Sequence, residues 1–476
     1  MDVPDWLSDS GPIARRLRGF EVRPQQQEMA AAVAQALEGG HHLAVEAGTG
    51  VGKTFAYLLP AIEQVLRRKR RVVISTHTIA LQEQLIDKDI PFLHEALRAS
   101  FTAELVKGRT NYVSLRRLRS ASERQKALFS ADGLLPALHA IEDWAYQTQD
   151  GSLSDLPESP PPEVWEKVRS EHGNCLGRRC PTYLTCFYQR ARRRAEAANL
   201  LVVNHALLVS DLLLRREGAN VLPDYDLVIV DEAHTLAQVA TDHLSTTVSN
   251  SQVQHVLGGL FNERTGRGYL AAVGNDDQRR AVVAAQAACT RLFDALLDWQ
   301  QRHGRSNGRL MAPPQVNNDL VPALRALAER LTPLKKSLPR EEDQYELGAH
   351  IERIVELGQA LEGLLTQAYE DHVYWIESDS QRGRRVSLYA APLDPGPFLR
   401  ELLFDRAASV ILTSATLAAD AAPAARKTAR DADRPAEHDP AFDYLLGRLG
   451  DPPARTLRLG SPFDFQRQVT VHVEAG

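Results

Sequence analysis

Cysteine is scarce in this chain: four in 476 residues, too few for a disulfide-stapled scaffold. No apolar run approaches the length of a membrane span. The opening Met1-Asp2-Val3-Pro4-Asp5 is acidic, unlike a secretory leader. Together these absences point to a cytoplasmic protein with no membrane partner. Excess positive charge is missing as well. The formal net charge is -5, so any nucleic-acid surface has to be a local patch on a mildly acidic body. The rest is ordinary globular material. With 43% apolar and 25% charged residues there is ample chain for large cores, and the length suggests about three domains.

One stretch organises the chain. The apolar run His42-Leu43-Ala44-Val45 reads as a buried strand, and Phe55-Ala56-Tyr57-Leu58-Leu59 reads as a helix. Between them stands Glu46-Ala47-Gly48-Thr49-Gly50-Val51-Gly52-Lys53-Thr54. Strand, glycine-rich turn and Gly-Lys-Thr opening a helix make a phosphate-binding P-loop. Glycines let backbone N–H groups converge on phosphate oxygens, and the helix N-terminus adds partial positive charge. Residues 47–54 are therefore the candidate nucleotide cradle for ATP. Lys53 is placed for the β- and γ-phosphates, and Thr54 offers its hydroxyl to Mg²⁺. Ala47 stands where the usual spacing has its first glycine. Just upstream, Arg23-x-x-Gln26-x-x-Met29 offers an amide that can hydrogen-bond an adenine edge in both directions, although it also reads as a plain polar helix start.

Further along, Val72-Val73-Ile74-Ser75-Thr76 is a buried strand that runs into His77-Thr78-Ile79-Ala80-Leu81-Gln82. Hydroxyls and amides there, at Thr78 and Gln82, suit phosphate-backbone contacts to a nucleic acid; the competing role for the threonines is helix capping. Three cysteines, Cys175, Cys180 and Cys186, sit close together and lead into Tyr188-Gln189-Arg190-Ala191-Arg192-Arg193-Arg194. Clustered cysteines in such a chain point to a metal. The four arginines, Arg190, Arg192, Arg193 and Arg194, are the candidate nucleic-acid patch, against the alternative of a solvated helix face. Leu227-Val228-Ile229-Val230 then delivers Asp231 and Glu232 at a strand end. Asp231 suits the Mg²⁺ shell and Glu232 the attacking water. Residues 235–370 read as helical throughout, followed by a strand pair at 373–377 and 386–390. Ser409-Val410-Ile411-Leu412-Thr413-Ser414-Ala415-Thr416 resumes the α/β pattern. Residues 418–440 read as a linker and 469–473 as a terminal strand.

Together the P-loop, Asp231-Glu232-Ala233-His234, Ser414-Ala415-Thr416 and the cysteine segment resemble superfamily-2 helicases of the DinG branch, related to the XPD iron–sulfur helicases. The resemblance implies an α/β fold. In it, a RecA-like P-loop domain carries an inserted metal-binding domain of iron–sulfur type and an inserted helical arch. Mapped on this chain, 1–108, 199–236 and 371–418 would form the first RecA-like lobe, 109–198 the metal domain and 237–370 the arch. Residues 419–440 would be the linker, and 441–476 the start of a second lobe. The implied activity is ATP-driven 5′-to-3′ translocation on single-stranded or forked DNA, in repair or replication. Gln26 would read adenine, and Lys53, Asp231, Glu232 and His234 would be catalytic. His234, Ser414 and Thr416 would couple the nucleotide to DNA contacts. The protein is expected to act as a monomer, with a single-stranded-DNA-binding protein as a candidate partner.

Two departures from the family pattern stand out. The first cluster cysteine of the family lies in a Lys-Gly-Arg-x-x-Tyr-x-Cys element, which here ends in Ser114. That leaves three thiolates for a [4Fe–4S] cluster, a Cys₃His zinc site using His172, or no metal. The second is length. A second lobe takes roughly 150 residues, more than follow Thr416, and no Gln-x-x-Gly-Arg-x-x-Arg element appears there. The competing expectation is a truncated ATP- and DNA-binding module that does not unwind. A nuclease is rejected, because too little chain precedes the P-loop to hold one.

Overall fold

The computed structural model describes residues 3–129, 134–379, 385–419, 438–463 and 470. The expected linker therefore lies mostly outside the described residues, as does the expected terminal strand apart from Thr470. The chain divides into two compact units, each assembled from separated segments.

The first unit comprises Met1–Lys107, Arg192–His243 and Asp394–Gly476. Its sheet has seven strands: β1 (His42–Ala47), β2 (Val72–Thr76), β3 (Ala103–Leu105), β4 (Leu200–Asn204), β5 (Leu227–Asp231), β10 (Ser409–Ser414) and β11 (Ala454–Leu459). Their order is β11-β1-β10-β5-β2-β4-β3, and every pairing is parallel. Side chains alternate across a strand, and a parallel sheet covered on both faces buries both sets. That is what the apolar runs do. Val45, Val72, Ile74, Ile229 and Ile411 join one core, while Ala44, Val73, Val228, Val230 and Leu412 join the other.

Helix α1 (Pro24–Gly39) packs on the first of these faces. It opens with proline at its first turn, where no N–H partner is needed, and closes on Gly40 at φ 67°, whose N–H bonds Ala36 O. Helix α2 (Lys53–Arg68) follows the P-loop.

The second unit comprises Gly108–Ala191 and Leu244–Leu393. A small sheet of order β6-β9-β8-β7 joins β6 (Thr246–Ser249), β7 (Arg309–Leu310), β8 (His372–Asp379) and β9 (Arg385–Pro392), all antiparallel. It shares a core with helices α3 (Asp276–His303), α4 (Leu320–Ser337) and α5 (Glu341–Thr366). A reciprocal capping box between Asn275 and Gln278 starts α3.

Three boundaries differ from expectation. The strand pair β8–β9, placed by sequence in the first lobe, belongs to the second unit. Its buried residues Tyr374, Ile376, Val386, Leu388 and Ala390 alternate with more exposed ones in β8, the pattern of a sheet covered on one face. The segment 454–459, expected to begin a second lobe, instead pairs with β1 from His42↔Ala454 to Ala47↔Leu459, as an edge strand of the first sheet. Segments 109–198 and 237–370, expected as separate insertions, contribute to one unit.

Buried charge ties those two segments together. The Arg117 side chain, 3% exposed, pairs with Glu171 at 3.2 Å and with Glu346 of α5 at 3.1 Å. Arg116 donates to Asn174 O at 2.9 Å, and Asn174 donates to Glu346. Burial is the largest single influence and pushes the Glu346 carboxyl up, but the Arg117 guanidinium, the Asn174 amide and His350 together outweigh it and bring the pKa down to about 2.

Removing one partner of a buried pair strands the other charge. Glu346→Ala should therefore destabilise the second unit by about 3 kcal/mol in denaturant unfolding of the full chain. A depressed folded-state pKa contributes stability that is present above the unfolded value, near 4.3, and is lost as pH falls toward 2. Hydrogen-exchange protection in α5 should decline over that window in the native chain, and less steeply in Glu346→Ala.

Candidate functional site

The carboxyl ends of β1, β10 and β5 lie side by side. Leu412 is opposite both Ala44 and Val230, and Thr413 is opposite both Val45 and Asp231. The P-loop, the Ser-Ala-Thr turn and the acidic pair are thereby brought to one edge, the position at which open α/β sheets bind ligands.

The loop's shape depends on two glycines in the left-handed region, Gly50 at φ 87° and Gly52 at φ 85°. A Cβ on Gly52 would fall 2.2 Å from Gln26 Nε2. Gln26 and Arg23 sit directly on the loop: Gln26 Nε2 donates to Gly52 O at 2.9 Å and Arg23 Nη1 to Gly50 O at 2.7 Å. Lys53 Nζ donates to Ala47 O at 3.3 Å across the cradle. Ala47, Gly48, Thr49 and Val51 complete the turn, and Thr54 lies in the first turn of α2.

Asp231 is 6% exposed. Tyr57 Oη donates to its Oδ2 at 3.2 Å, and the Glu232 N–H donates to its Oδ1 at 3.1 Å. Burial and then the neighbouring Glu232 raise the Asp231 carboxyl to about 6, against the opposing pull of Lys53 and Tyr57. Glu232 is held at φ 58°, a backbone conformation that non-glycine residues adopt at a cost and that concentrates at functional sites. Ser414 Oγ donates to Glu232 Oε2 at 3.0 Å and lies 2.8 Å from His234 Nδ1. With the serine proton directed at the carboxylate, the hydrogen-bond network assigns the imidazole proton to Nδ1. The Thr416 N–H reaches Ser414 Oγ at 3.5 Å. Catalytic and coupling candidates from two separated motifs thus form one chain of contacts, Glu232–Ser414–His234.

Two residues that sequence reasoning passed over belong to the same edge. Glu46 accepts from the N–H groups of Leu417 (2.8 Å) and Ala418 (2.6 Å) and from Arg458 Nε (2.9 Å). His205, at the end of β4, has Nδ1 2.6 Å from Ser75 Oγ, and its buried Nε2 has no partner among the described residues. Burial, then the neighbouring His77, lowers its pKa to about 4, so it is neutral near pH 7. A lone acid in an apolar strand and a histidine directly after one were the available signals.

The nucleic-acid candidates divide. Thr78 is exposed, but its Oγ1 caps the helix Ile79–Gln84 by accepting from Leu81 N. Gln82 is 5% exposed, so its amide is withdrawn from any backbone contact; it lies on the inward side of that short helix. In the helix Phe187–Ala197, Arg193 is exposed, Arg190 and Arg192 are half-buried, and Arg194 is tied to Glu104 at 2.7 Å.

The metal candidates do not assemble as expected. Cys175, Cys180 and Cys186 are free and half-buried, and burial pushes the Cys186 thiol up, against thiolate formation. The Ser114 hydroxyl caps the helix Leu115–Glu123 by accepting from Arg117 N. His172 is exposed. Among the described residues no group of three or more His, Cys, Asp or Glu side chains could hold a metal ion. The donor set does not fit a four-ligand cluster.

Comparison with known proteins adds to this geometry. The family described as "DEAD/DEAH box helicase" matches residues 23–132, and the one described as DEAD_2 matches 175–253. The ATP-dependent DNA helicase YoaA of Escherichia coli is 32% identical over 481 residues, covering 99% of this chain and 69% of that protein. The ATP-dependent helicase DinG of Mycobacterium tuberculosis is 32% identical over 494 residues, covering 100% of this chain and 68% of that protein. A solved structure titled "XPD_Helicase" aligns over 92% of this chain and 62% of its own at 15% identity, with a TM-score of 0.49.

Gly52→Ala should destabilise the first unit by about 1–3 kcal/mol, because the left-handed backbone disfavours a Cβ and that Cβ meets Gln26. Thermal unfolding checks the loss, and Gly52→Ala combined with Gln26→Ala should recover part of it.

Proposed function

The chain belongs to the DinG- and YoaA-type family of DEAD/DEAH-box helicases, and on that premise we propose that it hydrolyses ATP at the carboxyl ends of β1, β5 and β10 to drive 5′-to-3′ movement along single-stranded or forked DNA, in repair or replication. The observation that carries this reading is the Glu232–Ser414–His234 contact chain next to the P-loop. It joins a candidate base for water to the turn that continues away from the nucleotide edge.

The residues then take these roles. The N–H groups of the turn from Ala47 to Gly52, with Lys53 at the start of α2, hold the β- and γ-phosphates. In this state Lys53 donates to Ala47 O and Gln26 to Gly52 O, and both bonds are exchanged for nucleotide, Gln26 taking the adenine edge. Thr54 and Asp231 would hold Mg²⁺, which when bound neutralises charge developing on the phosphates. A buried carboxylate beside the P-loop, with its pKa raised to about 6 by burial and Glu232, fits that role. Glu232 orients the attacking water and takes its proton. Ser414 and His234 fix the Glu232 carboxylate and release it as Thr416 moves. Arg190, Arg192 and Arg193, with Thr78, are the proposed DNA contacts. Among the described residues no helix is long and apolar enough to cross a membrane.

Glu232→Gln keeps the shape and the Asp231 ligand but deletes the base. ATP binding should persist while hydrolysis falls by about 10²–10⁴-fold; Lys53→Ala should instead lose nucleotide affinity. Equal hydrolysis in Glu232→Gln and the native chain would refute this assignment. Alanine at Arg190, Arg192 and Arg193 together should weaken single-stranded DNA and flatten the dependence of log K on log salt by roughly 0.7 per lost phosphate contact.

A further inference from the structure

Glu46 is the one acidic residue of β1 and stands one position before Ala47. In register it lies opposite Ser414 of β10 on one side and Arg458 of β11 on the other. Its side chain, 13% exposed, reaches both neighbours. Oε1 takes the Arg458 guanidinium at 2.9 Å, and Oε2 takes the N–H groups of Leu417 and Ala418 at 2.8 and 2.6 Å. Two consecutive N–H groups on one carboxylate oxygen fix the orientation of both peptide planes, and a charged acceptor makes those bonds the strong kind. Leu417 and Ala418 directly follow Thr416, so the carboxylate holds the far end of the Ser-Ala-Thr turn. The near end is Ser414, whose hydroxyl rests on Glu232. The turn is therefore fastened at both ends by carboxylates, Glu232 of the acidic pair and Glu46 of the strand that carries the P-loop.

We propose that Glu46 is a positioning residue of the ATPase cycle. It fastens the turn after Ser414 to the P-loop strand, so that filling the phosphate cradle and placing Ser414 on Glu232 change together. The assignment rests on the ATP-hydrolysing reading above. It acts on geometry, since Glu46 touches neither Lys53 nor Asp231 by any hydrogen bond among the described residues. Arg458 serves as the counter-charge that keeps the carboxylate aimed between the two strands.

The test uses the full chain with Glu46→Ala, Glu46→Gln, Ser414→Ala and the Glu46→Ala/Ser414→Ala double variant. Hydrogen exchange without nucleotide reads the fastening itself. The Leu417 and Ala418 amides should exchange about tenfold faster in Glu46→Ala, a loss of one charge-assisted acceptor, and Glu46→Gln should lie between. A non-hydrolysable ATP analogue should change exchange at these amides in the native chain and not in Glu46→Ala. In DNA-stimulated turnover, Glu46→Ala should lower kcat about tenfold with KM for ATP within about twofold, and Glu46→Gln should recover most of kcat. Adding Glu46→Ala to Ser414→Ala should cost nothing further, because both act through one contact. Unchanged exchange at Leu417 and Ala418, or losses that simply add in the double variant, would overturn the proposal. A matched fall in kcat, affinity and melting temperature would do the same, by showing a purely structural role. A native chain without turnover would remove the ATPase reading instead, and the exchange arms would still decide whether Glu46 couples nucleotide to the turn.

Discussion

Everything at the proposed site depends on the parallel register of β1, β10 and β5. Parallel strands all end at the same edge, so three motifs separated by hundreds of residues can meet only if their strands are neighbours in phase. Thr413 lies opposite both Val45 and Asp231, which satisfies that condition. A slip of one residue in β10 would turn Ser414 to the other face of the sheet. It would carry the hydroxyl away from Glu232 and the turn away from Glu46. The two cores on either face hold the phase, because each buried apolar residue of these strands is committed to one side or the other.

The edge so formed is acidic, with Glu46, Asp231 and Glu232 close behind the P-loop. Each is managed differently. Glu46 is neutralised by Arg458 and backbone N–H groups. Glu232 is held by Ser414 and His234 in a left-handed backbone conformation. Among the described residues Asp231 is hydrogen-bonded only by a tyrosine hydroxyl and a backbone N–H, and despite the nearby Lys53 its carboxyl is raised to about 6. The least compensated carboxylate is the one assigned to a cation, and the most tightly held is the one assigned to positioning.

What was legible in the sequence was whatever is local. The P-loop is a run of consecutive residues, and the acidic pair ends an apolar strand. Ser414 ends another. Their meeting could be expected because each sits at a strand terminus. Glu46 stood out as a lone acid in an apolar strand, but its partners were not legible, since Leu417 and Ala418 are 371 and 372 residues away and contribute only backbone N–H. The placement of β11 was missed for the same reason: a strand states that it will pair but not with which neighbour. The assignment of β8 was within reach, because its alternating burial differs from the continuous apolar runs of β1, β5 and β10, and β9 pairs with it.

Ser114 shows how one residue type can satisfy two readings. By position in its element it should stand beside the cysteines. By its immediate context, ahead of Leu115-Arg116-Arg117-Leu118, it is a helix N-cap, a role that serine fills well, and the structure adopts that role. The helix it opens supplies Arg116 and Arg117, and these reach Asn174, Glu171 and Glu346. The cap and the buried charges are thus one construction: fixing the first turn at Ser114 sets the direction in which Arg117 enters the interior. Because Asn174 directly precedes Cys175, the same network fixes the start of the cysteine segment. The cohesion between the two segments of the second unit therefore runs in part through guanidinium and carboxylate groups, Arg117 with Glu171 and Glu346 and Arg124 with Asp343.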